Sequence, residues 1–299
     1  MAEVSKVNAI EIADIASING VDAEDIETLD GVDFVTGFSN TYALRQLVSP
    51  QTGSMQVANP SSYHFTTGGS DDAFSISAWV NAATMKRFRI ASKGNVAYGA
   101  TSAALEWHLT FGDPPWYAPT DPPPIDFKLY GDAGGSVYIQ QYGGSFNITG
   151  SWNHVVATYD GSGGTSGMKI YFNAVSSSAT NPFSAGSYSS LNDSSQPVAI
   201  GAILGNSDRF KGYLDEVSIW TKELTSGDVT DIYNSGAPGD LSTSGSLLSW
   251  WRMGDNNGGT GTTITDVQGT GNGSLNNAGG PGGAGSFASG DGISSAKVP

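Results

Sequence analysis

The segment Gly212-Tyr-Leu-Asp-Glu-Val-Ser-Ile-Trp220 constrains the fold of this chain more than any other. Its alternation predicts a β-strand, with Tyr213, Asp215, Val217 and Ile219 on one face and Leu214, Glu216, Ser218 and Trp220 on the other. On that count Asp215 shares a face with two aliphatic residues, so its carboxylate needs hydrogen-bond donors or a cation. A short helix follows. Thr225 is suited to its N-cap and Asp228 stands three residues later, as in a capping box. Leu224 and Val229 occupy the two positions of a hydrophobic staple, Val229, Ile232 and Tyr233 form one apolar stripe, and Gly236 suits the left-handed end.

Other stretches repeat the strand pattern. Phe74–Val80, Trp152–Tyr159, Met168–Asn173 and Pro197–Gly201 are short, apolar or alternating, and bounded by turn residues. Forty-one glycines and a charged fraction of only 14% fit many short strands joined by turns. The expectation is an antiparallel β-sandwich of jelly-roll type over residues 53–253. A span of that length buries an adequate core unaided. There is no cysteine, so disulfides and thiolate metal sites are excluded.

The N-terminal 33 residues read differently. Asp14-Ile-Ala-Ser-Ile-Asn-Gly-Val-Asp22 recurs as Asp25-Ile-Glu-Thr-Leu-Asp-Gly-Val-Asp33, with a looser copy at Glu3–Glu11. The period is 11 residues, and Ile15 and Ile26, then Ile18 and Leu29, occupy equivalent positions. Asn19-Gly20 and Asp30-Gly31 interrupt each unit, which argues against a continuous helix. Each unit is read as one helical turn, a tight turn and a short extended piece. Such repeats bury little alone and gain stability by stacking on neighbours. Residues 1–33 are therefore either an anchor that docks on another subunit, through Ile15, Ile18, Ile26 and Leu29, or a solvated decoration. Residues 34–52 read as a connector, and 254–299 as a Gly- and Asn-rich extension that completes the sandwich or adds to a neighbour's sheet edge.

Charge narrows the partners. The formal net charge is −15, and residues 1–33 hold nine acids against Lys6 alone. That argues against nucleic acid, whose phosphates need clustered Lys and Arg. No secretory leader and no apolar run of membrane-spanning length is seen, so synthesis in a cytoplasm is expected.

The phrases Ser54–Val57, Phe74–Val80, Arg89–Gly94, Trp152–Gly161, Met168–Asn173, Val198–Gly201 and Gly212–Trp220, in that order and spacing, resemble laminin G-like or concanavalin A-like jelly-roll domains. A second resemblance rests on Leu248–Asp255, Ile264–Gly269, Gly271–Asn277, Phe287 and the N-terminal repeat, which look like segments of marine tailed-phage structural proteins. It implies a virion component made in an infected bacterium, in contact with other virion proteins and with copies of itself.

Three site questions follow. The first resemblance implies a calcium site at the sandwich rim, for which Asp215 is the candidate ligand; the alternative is a carboxylate bonded to nearby backbone. The proline-rich loop from Gly112 to Pro124 carries Trp116 and Tyr117, with Asp113, Asp121 and His108 near in sequence. It reads either as a host-surface glycan site or as a contact with a neighbouring subunit. Catalysis of the glucanase kind needs two carboxylates that share a face. Adjacent Asp215 and Glu216 are expected on opposite faces, and no nucleophile elbow, phosphate loop or zinc motif is present. The expectation is a non-enzymatic virion structural protein, with a carbohydrate-binding adhesin as the alternative.

Overall fold

A computed structural model describes residues 38–46, 53–57, 60–84, 88–95, 104–112, 124–177, 182–204, 209–277 and 299, with the backbones of short strands between 6 and 33 and at Gly292–Ser294. The chain divides into two units, Met1–Asn40 and Thr41–Pro299.

In the first unit the repeat is a β-hairpin repeat. Lys6–Val7 pairs with Ile10–Glu11, Ser17–Ile18 with Val21–Asp22, and Thr28–Leu29 with Val32–Asp33. The registers Val7↔Ile10, Ile18↔Val21 and Leu29↔Val32 leave two residues between the paired positions, where the second and third copies have the sequences Asn-Gly and Asp-Gly that two-residue hairpins favour. The residues entering each turn are thus extended, and any helical turn further upstream lies outside the described residues. Ile18 and Leu29 occupy strand positions beside the loops, while Ile15 and Ile26 lie outside the described residues.

The second unit is an antiparallel sandwich. In chain order its strands are β1 (Ala43–Gln46), β2 (Gly53–Val57), β3 (Phe74–Ala82), β4 (Phe88–Asn95), β5 (Ala104–Phe111), β6 (Pro124–Tyr130), β7 (Tyr138–Ser145), β8 (Asn153–Tyr159), β9 (Met168–Phe172), β10 (Val175–Ser176), β11 (Phe183–Ala185), β12 (Val198–Ile200), β13 (Gly212–Trp220), β14 (Leu247–Trp251), β15 (Thr263–Ile264), β16 (Gly273–Asn277) and β17 (Gly292–Ser294). Helix α1 (Ser226–Tyr233) lies between β13 and β14. One sheet runs β10-β9-β8-β3-β13-β1-β17, with β14 also paired to β13; the other runs β11-β7-β6-β5-β4-β12-β2-β16-β15.

Alternate residues of the two sheets meet in a single core. Ile76, Ala78 and Val80 of β3 and Val155, Ala157 and Tyr159 of β8 oppose Trp107, Leu109 and Phe111 of β5 and Ile125, Phe127 and Leu129 of β6. Phe74 stands at the junction, with ring centroids 4.2 Å from Phe65, 5.7 Å from Phe127 and 6.1 Å from Trp107. Full burial of each large side chain contributes on the order of 1.5–3 kcal/mol.

The sandwich takes in residues on both sides of the 53–253 span. Strand β1, inside the expected connector, pairs with β13. Strands β16 and β17 of the C-terminal extension pair with β2 and β1, and β15 pairs with β16, so the extension adds two strands to one sheet and one to the other.

Strand β13 departs from simple alternation. Ser77 pairs with Ser218 but Trp79 pairs with Asp215, and Glu216, at φ 48°, is the extra residue. The bulge reverses the pattern halfway along. Leu214, Val217 and Ile219 enter the core, whereas Asp215 pairs with Trp79, which packs on the outside against Tyr233 of α1 at 5.8 Å. Asp215 therefore does not share a face with Val217 and Ile219.

Helix α1 starts as the sequence predicts. The Asp228 N–H donates to Thr225 Oγ1 at 3.2 Å and the Thr225 N–H donates to Asp228 Oδ2 at 2.7 Å. It ends earlier than expected, because Asn234 takes the left-handed conformation ahead of Gly236. Its Tyr233 ring stacks on Trp79 and on His154, which lies 5.9 Å away.

Candidate functional site

Asp113, Trp116, Tyr117 and Asp121, the glycan or contact candidates, lie outside the described residues. His108, near them in sequence, is wholly buried on β5. Its Nε2 is 3.3 Å from Asp126 Oδ2, and the Tyr130 hydroxyl is 3.4 Å from its Nδ1. Asp126 also accepts a hydrogen bond from Gln140. Lys128, one pair further along the same strands, stands 4.5 Å from the Tyr138 ring centroid. These side chains form a covered polar layer on β5, β6 and β7.

Asp215 is also wholly buried, and its Oδ1 accepts the Glu216 N–H at 2.8 Å. This carboxylate fixes the backbone of the bulge. Among the described residues no three His, Cys, Asp or Glu side chains converge to hold a metal. Glu216 does not point to the opposite face. It accepts the indole N–H of Trp250, which pairs with outward-facing Ser218, whereas neighbouring Trp251 pairs with Val217 and lies in the core. The two carboxylates thus share a face, and both are enclosed and bonded to the protein itself.

A third group of side chains combines a buried base with an open end. At the end of the β4–β5 hairpin the pairing slips between Lys93 and Gly94, which leaves Glu106 as an extra residue beside Lys93. Lys93 Nζ donates to Glu106 Oε2 and, at 2.6 Å, to the Ser194 carbonyl. The same Oε2 accepts the Ser194 N–H at 3.1 Å and hydroxyl at 3.0 Å. Its partner oxygen, Oε1, stands 3.2 Å from His64 Nδ1. Lys93 and Glu106 are fully enclosed, His64 is 19% exposed and Asp193, 3.7 Å from His64, is 78% exposed. Burial pushes the Glu106 carboxyl above its ordinary range, and the adjacent ammonium pulls it back. The result is an imidazole and a carboxylate held at the surface on a rigid charged footing.

Sequence reasoning passed over this group. The available signal was a glutamate within the otherwise apolar run Leu105-Glu-Trp107 and a lysine before Gly94. Each reads alone as a solvated side chain, since only the bulge brings them together.

Two antiparallel sheets packed face to face, with one short helix on the outside, define a lectin-like jelly roll. The chain belongs to the concanavalin A-like lectin/glucanases superfamily, matched over residues 51–230. A Bacteroides ovatus protein assigned to carbohydrate binding has a similar structure, at 20% identity and a TM-score of 0.55, over 84% of this chain. The chain spans 64% of that protein's length. A heptameric pentraxin from Limulus polyphemus is 14% identical, with a TM-score of 0.41 over 66% of this chain and 82% of its own. Domain 4 of an extracellular arabinanase from Geobacillus stearothermophilus, in complex with arabinotriose, is 18% identical, with a TM-score of 0.35 over 60% of this chain and 71% of its own. No curated protein sequence matches the chain.

Proposed function

We propose that the sandwich is a non-enzymatic carbohydrate-binding module whose contact site is centred on His64 and Asp193. We further propose that the N-terminal hairpins fasten it to a tailed-phage particle as a decoration or tail-associated protein, made in the bacterial cytoplasm. The observation that carries the glycan reading is the chain of contacts from Lys93 through Glu106 to His64. Sugar hydroxyls are bound best by donors and acceptors held in place beforehand, because little side-chain freedom is then lost on binding. A partly exposed imidazole braced by a buried carboxylate supplies one such group, and exposed Asp193 supplies an acceptor beside it. Superfamily membership and the carbohydrate-binding assignment of the Bacteroides protein support the same reading.

Glycan-array binding by the intact protein tests it, with His64→Ala, Asp193→Ala and Trp116→Ala alongside. The expected result is a defined set of glycans whose signal falls in His64→Ala and Asp193→Ala. Absence of any glycan signal would sink the binding reading. Retained signal in both variants would move the site elsewhere, with Trp116→Ala testing the proline-rich loop.

The anchor reading is favoured by one observation in the first unit. Each described hairpin is its own two-stranded sheet, and an isolated hairpin of this size is marginal in water. Many copies held on one particle turn weak glycan contacts into firm attachment. Deleting residues 1–33 is expected to abolish incorporation into particles, and retained incorporation would overturn the anchor.

A further inference from the structure

Arg252 stands between two acids and is bonded to one of them. Its Nε donates to Glu216 Oε1 at 3.2 Å, while its Nη2 is 3.8 Å from Asp255 Oδ2. That Asp255 oxygen is buried and accepts no hydrogen bond among the described residues. The other, Oδ1, accepts the backbone N–H of Thr41 at 2.8 Å. Thr41 is the first residue of the sandwich unit, two residues before β1. An unsatisfied buried carboxylate oxygen costs about 1–3 kcal/mol, so Asp255 gains whenever a donor closes that gap.

We propose that Arg252 is a shared cation: when Glu216 takes a proton from solvent, Arg252 passes to Asp255, and Asp255 then grips the Thr41 N–H more firmly. The geometry supplies both resting places. Glu216 also sits in a left-handed bulge, a conformation a glutamate seldom adopts, and its neighbours must hold it there. Facing its carboxylate are Arg252, the Trp250 indole and Asp255, while Asp215 on its own strand is occupied with the Glu216 N–H. Arg252 also lies over the Trp250 ring, 5.2 Å from its centroid, and keeps that contact as a pivot. Burial, opposed by Arg252, pushes the Glu216 carboxyl up to about 7, so the transfer falls near neutrality. The device makes the entry of the chain into the sandwich tighter in mild acid than in mild alkali.

Nuclear magnetic resonance of the full chain tests it. The Trp250 indole resonance reads the proton on Glu216 directly, and hydrogen exchange at Thr41, corrected for the intrinsic rate, reads the grip. In the wild type the indole shift and Thr41 protection should move together from about pH 8 to about pH 6, protection rising about tenfold, the response of one pKa unit of coupling. Glu216→Gln should hold Thr41 in the protected state throughout. Asp255→Asn should keep the indole titration and lose the Thr41 response. An indole that does not titrate in this range, or a Thr41 response that survives in Glu216→Gln, would overturn the proposal.

Discussion

Lys93 and Glu106 form an ion pair that is sealed from solvent on both sides, between two strands of one sheet. Burying two charges is offset by their mutual attraction, by the Ser194 bonds around them and by the His64 contact with Glu106. Removing one partner strands the other. Glu106→Gln or Lys93→Met alone should each cost about 3–5 kcal/mol in urea denaturation. The double variant Lys93→Met/Glu106→Leu should cost less than either. Additive losses would show that the pair is not one energetic unit.

Burial also sets the pH response at His154, which packs against the Trp79 and Tyr233 rings and is hydrogen-bonded to Ser77. Its enclosure lowers its pKa from 6.5 to about 3, so the folded protein holds it neutral. In the unfolded chain it takes up a proton first. Stability is therefore lost as pH falls from 6.5 towards 3, by about 1.4 kcal/mol per unit. Below about pH 4.5, where Glu216 no longer opposes it, His154→Phe should flatten that slope in denaturant titrations, and an unchanged slope there would refute the assignment.

Glu216 works in the opposite sense. Its folded pKa lies above its unfolded value, so the stability it contributes is present below 4.5 and lost as pH rises through about 7. Glu216→Gln should hold an advantage of roughly 2–3 kcal/mol above pH 7 that vanishes below the ordinary glutamate range. Between 4.5 and 6.5 the two residues oppose each other. The wild type should look nearly flat there, while His154→Phe and Glu216→Gln reveal slopes of opposite sign, measured as midpoint shifts in urea.

Truncation after Met253 should be severe. It removes β16, whose Leu275 lies opposite Met55 of β2, and with it Ile264, both members of the core. It also removes Asp266, whose carboxylate accepts the Ser249 hydroxyl and the Trp250 N–H, each at 2.8 Å. Circular dichroism and exclusion chromatography should report a loosened, aggregating chain. A monomer with unchanged thermal midpoint would contradict the pairing.

Much of this architecture is legible in the sequence, because a strand buried on one face must alternate, as Phe74–Val80 does. Alternation cannot register a bulge, so counting along Gly212–Trp220 puts Asp215 on the wrong side. Gly273-Ser-Leu-Asn-Asn277 carries a single aliphatic side chain and reads as a loop. It is a strand because β2 offers it an unpaired row of backbone groups. The hairpin repeat is visible in Asn-Gly and Asp-Gly, yet the extended residues before each turn resemble a helical turn in composition. At the candidate site the difficulty is distance along the chain. His64, Lys93, Glu106 and Ser194 lie on four separate segments, and nothing local in any of them announces the others.

Strand β1 pairs with β13 on one side and with β17 on the other, so the seam between Arg45 and Gly292 closes across roughly 250 residues of chain. A ribosome adding about 5–20 residues each second needs tens of seconds to cover that stretch. Throughout that time the apolar faces of β2 and β3 have no finished partner sheet. The sandwich is thus incomplete until β17 has been made, and such long-range pairing is intrinsically slow. Its strongly acidic composition, whatever else it does, keeps unfinished copies apart while they wait for their own last strand.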